Sequence, residues 1–322
     1  MQKFKWEDKN VLITGADGFM GSHLTEKLLG LDAKVSVYIR GDSQATTALK
    51  MRNISHLKDN IEHIITGDIA APDAISLIKK NNAEYIFHLA ADAYVPKSFE
   101  HPLEVNKTNV DGTLNVLHAA MEMDVKQLVC TSSSEIYGTQ NKPITEETPL
   151  YPSSPYAASK VAADRYCFSY WNTYNIPVSI IRPFNTYGPR HTYDVIPKFI
   201  DLALKCEPLT IYGDGNQTRD FTYVDDTIDG FLIMASNPMA IGKAVNFGSG
   251  KDYTINEIAN LIVDISCSKS KIVHMKPRTS EVGKLLCNYS YAKKLFGFKP
   301  MITLRDGLER NIAYEKKKRG IL

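Results

Sequence analysis

The chain has 322 residues, of which 43% are hydrophobic and 23% charged, and its formal net charge is +2. That length buries a large core in one large domain or two, and the near-balanced charge gives no electrostatic footprint for nucleic acid or for an acidic membrane surface. No apolar run approaches the ~18 residues of a membrane span and the N-terminus lacks a signal peptide's apolar region. With five scattered cysteines and no C-x-x-C pair, a cytoplasmic protein with reduced thiols is expected.

Short apolar runs alternate with helical patterns over the first 185 residues. Strands are predicted at Asn10–Thr14, Lys34–Ile39, Ile61–Thr66, Tyr85–Leu89, Gln127–Thr131 and Val178–Arg182. Helices are predicted at Met20–Leu29, Ala71–Lys80, Leu103–Met123 and Pro155–Tyr174. This alternation predicts an α/β fold, a Rossmann-type doubly wound parallel sheet covered on both faces.

The first strand runs into Gly15-Ala-Asp17-Gly18-Phe19-Met20-Gly21. Glycines at three-residue spacing allow a tight turn and let backbone approach a pyrophosphate, which then faces the N–H groups opening the next helix. The whole turn, Asp17, Phe19 and Met20 included, is therefore a candidate dinucleotide site. After the second strand an acid usually takes the ribose hydroxyls and an arginine accommodates a 2′-phosphate. Arg40 stands there, so the cofactor expected is NAD(P) with NADP preferred; NAD stays open because Asp42 can fold back. Asp68 and Ile69 close the third strand, where a carboxylate can accept from an adenine amino group. Leu89, Ala90 and Ala91 end the fourth with small residues, as close cofactor approach needs. Tyr94 and Lys97 follow, at the edge of the cleft in such a fold.

The fifth strand leads to Ser133-Ser134-Glu135, and the next helix carries Tyr156 and Lys160. Four residues apart, the last two share a helix face, where an ammonium favours the phenolate and tunes tyrosine toward a general base. A serine can hold a sugar hydroxyl against that phenolate, and Glu135 adds a second proton-transfer group. Such a set suits oxidation of an alcohol followed by another proton transfer. His88, His101, His118 and His191 have no metal-ligand spacing, so no metal is expected.

Beyond residue 185 the pattern is less regular. Helices are predicted at Val195–Lys205, Tyr223–Ser236, Ile255–Ser266, Ser290–Phe296 and Leu304–Lys318, forming a smaller cap. The expected division is a NAD(P)-binding domain over 1–185 and a substrate-binding cap over 186–322.

Taken together, the segments TGADGFMGSH, GDI, HLAA, TNVDGTLNVL, TSSSEIYG, SPYAASK, RPFNTYGP, IYGDGNQTRDFTYVDD and RTSEV resemble the extended short-chain dehydrogenase/reductase family, in its nucleotide-sugar epimerase/dehydratase branch. The resemblance implies that Ser133 is the active-site serine, Tyr156 the base and Lys160 the lysine on the nicotinamide ribose. It makes Asn109 the structural asparagine of the proton-relay region. Tyr94 is a candidate sugar contact. Asn185 would contact the sugar-nucleotide phosphates, Arg219 and Arg278 would bind the pyrophosphate, and Glu281 the nucleotide ribose.

Within that branch, simple 4-epimerases usually carry small or neutral residues at the positions of Ser134 and Glu135, whereas hexose 4,6-dehydratases place a carboxylate at Glu135. Once C4 is a ketone the C5 proton is acidic, and a carboxylate within reach can remove it. The resemblance thus implies a 4,6-dehydratase of a UDP- or GDP-linked hexose or N-acetylhexosamine. Many dTDP-glucose dehydratases have Asp-Glu here; Ser134 departs from that, and nucleotide-uronate decarboxylases share the Ser-Glu pair. Decarboxylation and 4-epimerisation therefore stay open. The family also implies a homodimer, joined through the helices predicted at Leu103–Met123 and Pro155–Tyr174.

Overall fold

The computed structural model describes residues 4–40, 51–277 and 282–321. They form a seven-stranded parallel sheet with helices packed against it. Its first six strands are β1 (Asn10–Thr14), β2 (Lys34–Ile39), β3 (His63–Thr66), β4 (Tyr85–His88), β5 (Gln127–Thr131) and β6 (Val178–Pro183). Across the sheet they run β6-β5-β4-β1-β2-β3, with Ala244–Phe247 added beside β6. That is the doubly wound order expected of a dinucleotide-binding sheet, with the switch point between β1 and β4.

Residue alternation in the strands explains the two covered faces. Ile86 of β4, with Leu12 and Leu128 of its neighbours and Ile180 of β6, enters a core with Val116, Leu117, Cys167 and Tyr170. Those residues come from α5 (Gly112–Met121) and α6 (Pro155–Tyr174). Phe87, next to Ile86, points to the other face, edge-on to Phe231 at 6.4 Å. There Tyr85 and Trp6 also pack edge-on, 5.3 Å between centroids. Gln127 Nε2 donates to the Met234 carbonyl at 2.7 Å, fastening the helix Val224–Ser236 to β5.

Three elements depart from the sequence expectation. The helix predicted over Leu103–Met123 runs without a break from Pro102 to Met121, but a π-turn over Lys107–Asp111 divides it into α4 (Pro102–Asn106) and α5. The wider turn leaves Asn109 buried and tied by its side chain to residue 92, and π-bulges of this kind gather at functional sites. The strand predicted from Ile61 starts at His63, because a 3-10 helix occupies Ser55–Asn60 and Ile61 caps it. The helix predicted from Ala71 becomes α2 (Ala74–Lys79), since residues 68–74 are spent on turns in which Ala71 N–H reaches the Asp68 carbonyl and Ala74 N–H reaches Ala71.

By compactness the chain divides into two units. The first comprises Met1–Ser133, Ser154–Arg182 and Ile228–Val245, and holds the sheet's six leading strands and α1 (Phe19–Leu29) to α6, with α3 spanning Val95–Glu100. The second comprises Ser134–Ser153, Pro183–Thr227 and Asn246–Leu322. In it Thr218–Asp220 lies between the strands Asp252–Thr254 and Lys284–Leu285, and Leu209–Tyr212 pairs with Ile272–Met275. Two of its helices begin on well-made caps. Thr254 and Glu257 form a reciprocal capping box on Ile255–Ser266, and Thr303 caps Leu304–Lys318, each cap satisfying N–H groups otherwise left open. No helix is long and apolar enough to cross a membrane among the described residues.

Candidate active site

The strand Val11–Thr14 is buried, and the chain turns sharply as it leaves the sheet. Gly15 adopts φ +71°, where a side chain would be strained, and a Cβ there would stand 2.7 Å from Ala90 N. At Gly21 a Cβ would come within 2.2 Å of the Gly15 carbonyl oxygen. Only glycine lets β1, the end of β4 and α1 approach so closely. Gly18 N–H donates to the Gly15 carbonyl at 3.0 Å, and Gly18 is the N-cap of α1, with no side chain capping the helix. This glycine cradle and uncapped helix start fit a dinucleotide pyrophosphate. Phe19 and Met20 are half-buried in the first turn of α1. Asp17 spends its carboxylate elsewhere, accepting from the backbone N–H groups of Arg52 (2.9 Å), Asn53 (2.8 Å) and Ile54 (3.3 Å). It thereby anchors the chain returning from β2.

Arg40 follows the buried Ile39 and is exposed at the end of β2. Asp68 is exposed after β3 and accepts from Ala70 N–H at 3.0 Å, while Ile69 is buried beneath Gly112. Leu89, Ala90 and Ala91 leave β4 half-buried, and Ala90 N–H donates to Thr14 Oγ1 at 3.2 Å. Tyr94 is exposed as the N-cap of α3, and Lys97 pairs with Asp92 at 2.5 Å.

Helix α6 starts on Ser154, whose Oγ accepts from Ala157 N–H at 3.1 Å, with Pro155 preset in the first helical position. Tyr156 and Lys160 both lie on its buried face. Lys160 Nζ donates to the Thr131 carbonyl at 2.5 Å, and burial holds its pKa below the ordinary lysine value. One turn further, Asp164 accepts from Arg182 Nε at 2.8 Å and Arg182 NH2 at 2.9 Å, tying α6 to β6. Arg182 holds the Asp164 carboxyl below its usual range against the opposing effect of burial, the largest single influence on it. Ser133 is buried at the end of the β5 segment. Asn109 Nδ2 donates to Ser159 Oγ at 2.9 Å, and Ser159 donates to the Tyr156 carbonyl at 2.7 Å.

In the second unit, Ser134 and Glu135 open a 3-10 turn, Ser134–Tyr137, with Ser134 buried and Glu135 half-buried. The turn is clamped. Tyr137 OH donates to Asn246 Oδ1 at 2.8 Å, and Tyr151 N–H donates to the Ile136 carbonyl at 2.9 Å. Gly138, at φ +61°, lies so close to the Tyr151 carbonyl that a Cβ would meet it at 2.2 Å. The Asn185 backbone carbonyl accepts from Thr222 N–H at 3.1 Å, while its side-chain Oδ1 is buried with no partner among the described residues. Arg219 sits in the middle strand of its small sheet and donates to the Thr218 carbonyl at 2.9 Å. Beside it Asp220 is fully buried, accepting from Ser249 Oγ (2.6 Å) and from the N–H groups of Ser249 (2.8 Å), Gly250 (2.9 Å) and Cys287 (3.1 Å). Arg278 and Glu281 lie outside the described residues. Among the described residues no three His, Cys, Asp or Glu side chains gather as metal ligands.

Nothing in the sequence marks Thr14, Thr113, Ser159, Asp164 or Arg182 as part of the site, and His88 enters it as a hydrogen-bonding group between two threonines. His88 lies in the HLAA segment and Ser159 within SPYAASK, so their positions were visible, but their partners come from other elements.

A glycine turn after the first strand of this sheet, with Tyr156 and Lys160 one helical turn apart, defines a dinucleotide-binding α/β protein of the Rossmann class. The family model described as GDP-mannose 4,6 dehydratase matches residues 12–311. The chain belongs to the extended short-chain dehydrogenase/reductase family, among the enzymes that modify nucleotide sugars. UDP-glucuronic acid decarboxylase 1 of Danio rerio is 35% identical over 318 residues, 95% of this chain and 72% of the relative. The structure of UDP-glucuronic acid 4-epimerase from Bacillus cereus, in complex with UDP-glucuronic acid and NAD, matches with a TM-score of 0.87 at 31% identity, covering 96% of this chain and 99% of that one. DesIV, the dTDP-glucose 4,6-dehydratase of Streptomyces venezuelae with NAD bound, matches with a TM-score of 0.87 at 28% identity, covering 97% and 98%.

Proposed function

We propose that the chain is a nucleotide-sugar 4,6-dehydratase, converting a UDP- or GDP-linked hexose or N-acetylhexosamine to its 4-keto-6-deoxy form. The observation that carries this reading is Glu135, a half-buried carboxylate on the clamped turn that follows β5 and Ser133. Simple 4-epimerisation has no use for a base over C5, whereas elimination of water across C5–C6 requires one.

A bound nicotinamide dinucleotide supplies a hydride acceptor at C4 and a hydride donor at C6. The Gly15–Gly21 turn and the start of α1 would hold its pyrophosphate, and Lys160 its nicotinamide ribose. Ser133 holds the C4 hydroxyl, and Tyr156 takes the O4 proton as the C4–H bond breaks. The resulting ketone acidifies H5. Glu135 removes that proton and passes it to the C6 hydroxyl, which departs as water. With the cofactor bound, hydride return at C6 would be matched by delivery to C5 of the proton that Tyr156 accepted, which restores the phenolate. Ser134, in place of a second acid, leaves Glu135 to act first as base and then as acid. Asn185, with a buried amide oxygen lacking a partner among the described residues, is assigned with Arg219, Tyr94, Arg278 and Glu281 to the sugar nucleotide. We assign cofactor binding to 1–185 and the sugar-nucleotide cap to 186–322.

The test is incubation with UDP-GlcNAc, GDP-GlcNAc, GDP-mannose and dTDP-glucose without added reductant. A product lighter by one water supports the reading, and Glu135→Gln should abolish most of that conversion. Absence of water loss from every substrate sinks it. A second reading, decarboxylation of a nucleotide uronic acid or 4-epimerisation, draws on the decarboxylase and epimerase relatives. Carbon dioxide release, or conversion without change of mass, identifies it.

We further propose a homodimer formed through α5 and α6. Leu103 is 83% exposed beside them in α4, and Tyr166 and Tyr174 are exposed on one side of α6, large apolar side chains that a partner would cover. A monomeric mass by light scattering overturns this.

A further inference from the structure

His88 ends β4 fully buried, and both of its ring nitrogens meet a threonine hydroxyl. Nδ1 is 2.8 Å from Thr14 Oγ1, and Nε2 is 3.0 Å from Thr113 Oγ1. The tautomer follows from counting protons. Thr113 has one hydroxyl proton, and it goes to the Asn109 carbonyl at 2.6 Å, which can only accept. Thr113 Oγ1 therefore turns a lone pair toward His88, and Nε2 must carry the hydrogen. A second proton on Nδ1 is opposed by burial first and by the Lys160 ammonium second, which together hold the ring's pKa down to about 3. Nδ1 thus accepts the Thr14 hydroxyl, and Thr14 Oγ1 in turn receives Ala90 N–H at 3.2 Å.

The bonds form one directed chain, from Ala90 N–H through Thr14, His88 and Thr113 to the Asn109 carbonyl. The Asn109 side chain carries it on. Its Oδ1 accepts from Asp92 N–H at 2.7 Å, its Nδ2 donates to Ser159, and Ser159 donates to the Tyr156 carbonyl. The ends of β1 and β4, the π-turn and the first turn of α6 are thereby set relative to one another by groups whose donors and acceptors match in a single arrangement.

We propose that His88, as the neutral Nε2–H tautomer, is a positioning residue for Tyr156, acting through Asn109 and Ser159. The proposal rests on the reading of Tyr156 as the base, but the tautomer does not. Thr14 of β1, Thr113 of α5 and the Lys160 ammonium of α6 are the groups that bear on the ring, and Thr131 Oγ1 donates to the His88 carbonyl at 2.8 Å.

The experiment is 15N NMR of the full chain labelled at histidine, with the His88 signals identified by their loss in His88→Gln. An Nε2-protonated ring that stays neutral from pH 8 to about pH 5 is expected from this burial. An Nδ1-protonated ring, or one that titrates like a free histidine, overturns the proposal. In Thr113→Val the Nε2–H loses its acceptor, so the ring should switch to the Nδ1–H tautomer facing Thr14. Turnover should fall about tenfold with cofactor affinity unchanged, and Thr113→Ser should restore both tautomer and rate. A Thr113→Val protein with the wild-type tautomer and rate also overturns it. If the wild-type protein turns over none of the sugar nucleotides, the dehydratase reading fails while the NMR result still decides the tautomer.

Discussion

Lys160 Nζ donates to the Thr131 carbonyl at 2.5 Å, so the ammonium on α6 is pinned to the last residue of β5. The contact anchors a buried charge without neutralising it. Burial still lowers the pKa, offset in part by Cys167, Cys130 and Asp164. Lys160 should therefore lose its proton below the ordinary lysine range, and activity should decline on the alkaline side earlier than a solvent-exposed lysine would predict. Lys160→Met should remove that limb and cost about 10²-fold or more in turnover, the scale of losing an organised proton-transfer site. A pH–rate profile checks both, and an unchanged alkaline limb in the variant would refute the assignment.

The pair formed by Asp164 and Arg182 ties α6 to β6. Both side chains are almost wholly buried, with two well-aligned bonds between them. Neutralising Asp164 takes the carboxylate from a buried guanidinium that donates two bonds to it, at a cost of about 3–5 kcal/mol. Asp164→Asn should lower stability by that order in chemical denaturation. The Asp164 carboxyl is held below its unfolded value, so its contribution is complete above the unfolded pKa and fades as pH falls through the folded one. A loss below about 1 kcal/mol would mean that water reaches the pair.

What the sequence made legible was whatever is encoded locally. The Gly15–Gly21 turn and the Tyr156–Lys160 spacing each occupy one element, and the strand–helix alternation announces a parallel sheet. What it hid is tertiary. Thr14 and His88 meet across 74 residues and His88 and Thr113 across 25, and no spacing signals such a pairing. The π-turn at Lys107–Asp111 was invisible because one extra residue in a turn leaves the apolar pattern of a long helix nearly intact. Ala244–Phe247 was hidden because it joins the sheet beside β6 from beyond residue 185, outside the strand–helix alternation that announces the other six strands.

Two buried groups pull acid stability in opposite directions. His88 has its pKa depressed from 6.5 to about 3, so the fold loses stability as pH falls below 6.5. Asp220 is raised from 3.8 to about 6, because burial outweighs the hydrogen bonds it accepts; the fold takes up that proton first and gains stability as pH falls from 6 to 3.8. Each slope is at most about 1.4 kcal/mol per pH unit, so they oppose one another between pH 6 and 4. His88→Gln should thus become progressively more favourable relative to wild type on acidification, and Asp220→Asn progressively less. Denaturation midpoints at pH 7, 5.5 and 4.5 read this out. Parallel curves for wild type and His88→Gln would mean that His88 is charged in the fold.

We propose that Arg40 sets the choice between NAD and NADP, since it stands at the end of β2 where NAD enzymes of this fold place an acid. The side chain is exposed, so a 2′-phosphate could reach it without burying an unpaired charge. A charge-assisted contact of that kind is worth roughly tenfold or more in affinity. Arg40→Glu should weaken NADP by at least that factor while leaving NAD unchanged or tighter. Titration of both cofactors into wild type and variant measures the ratio. The same ratio in both proteins would show that Arg40 faces solvent in the complex, and would return the specificity to the glycine turn and the groups around the ribose.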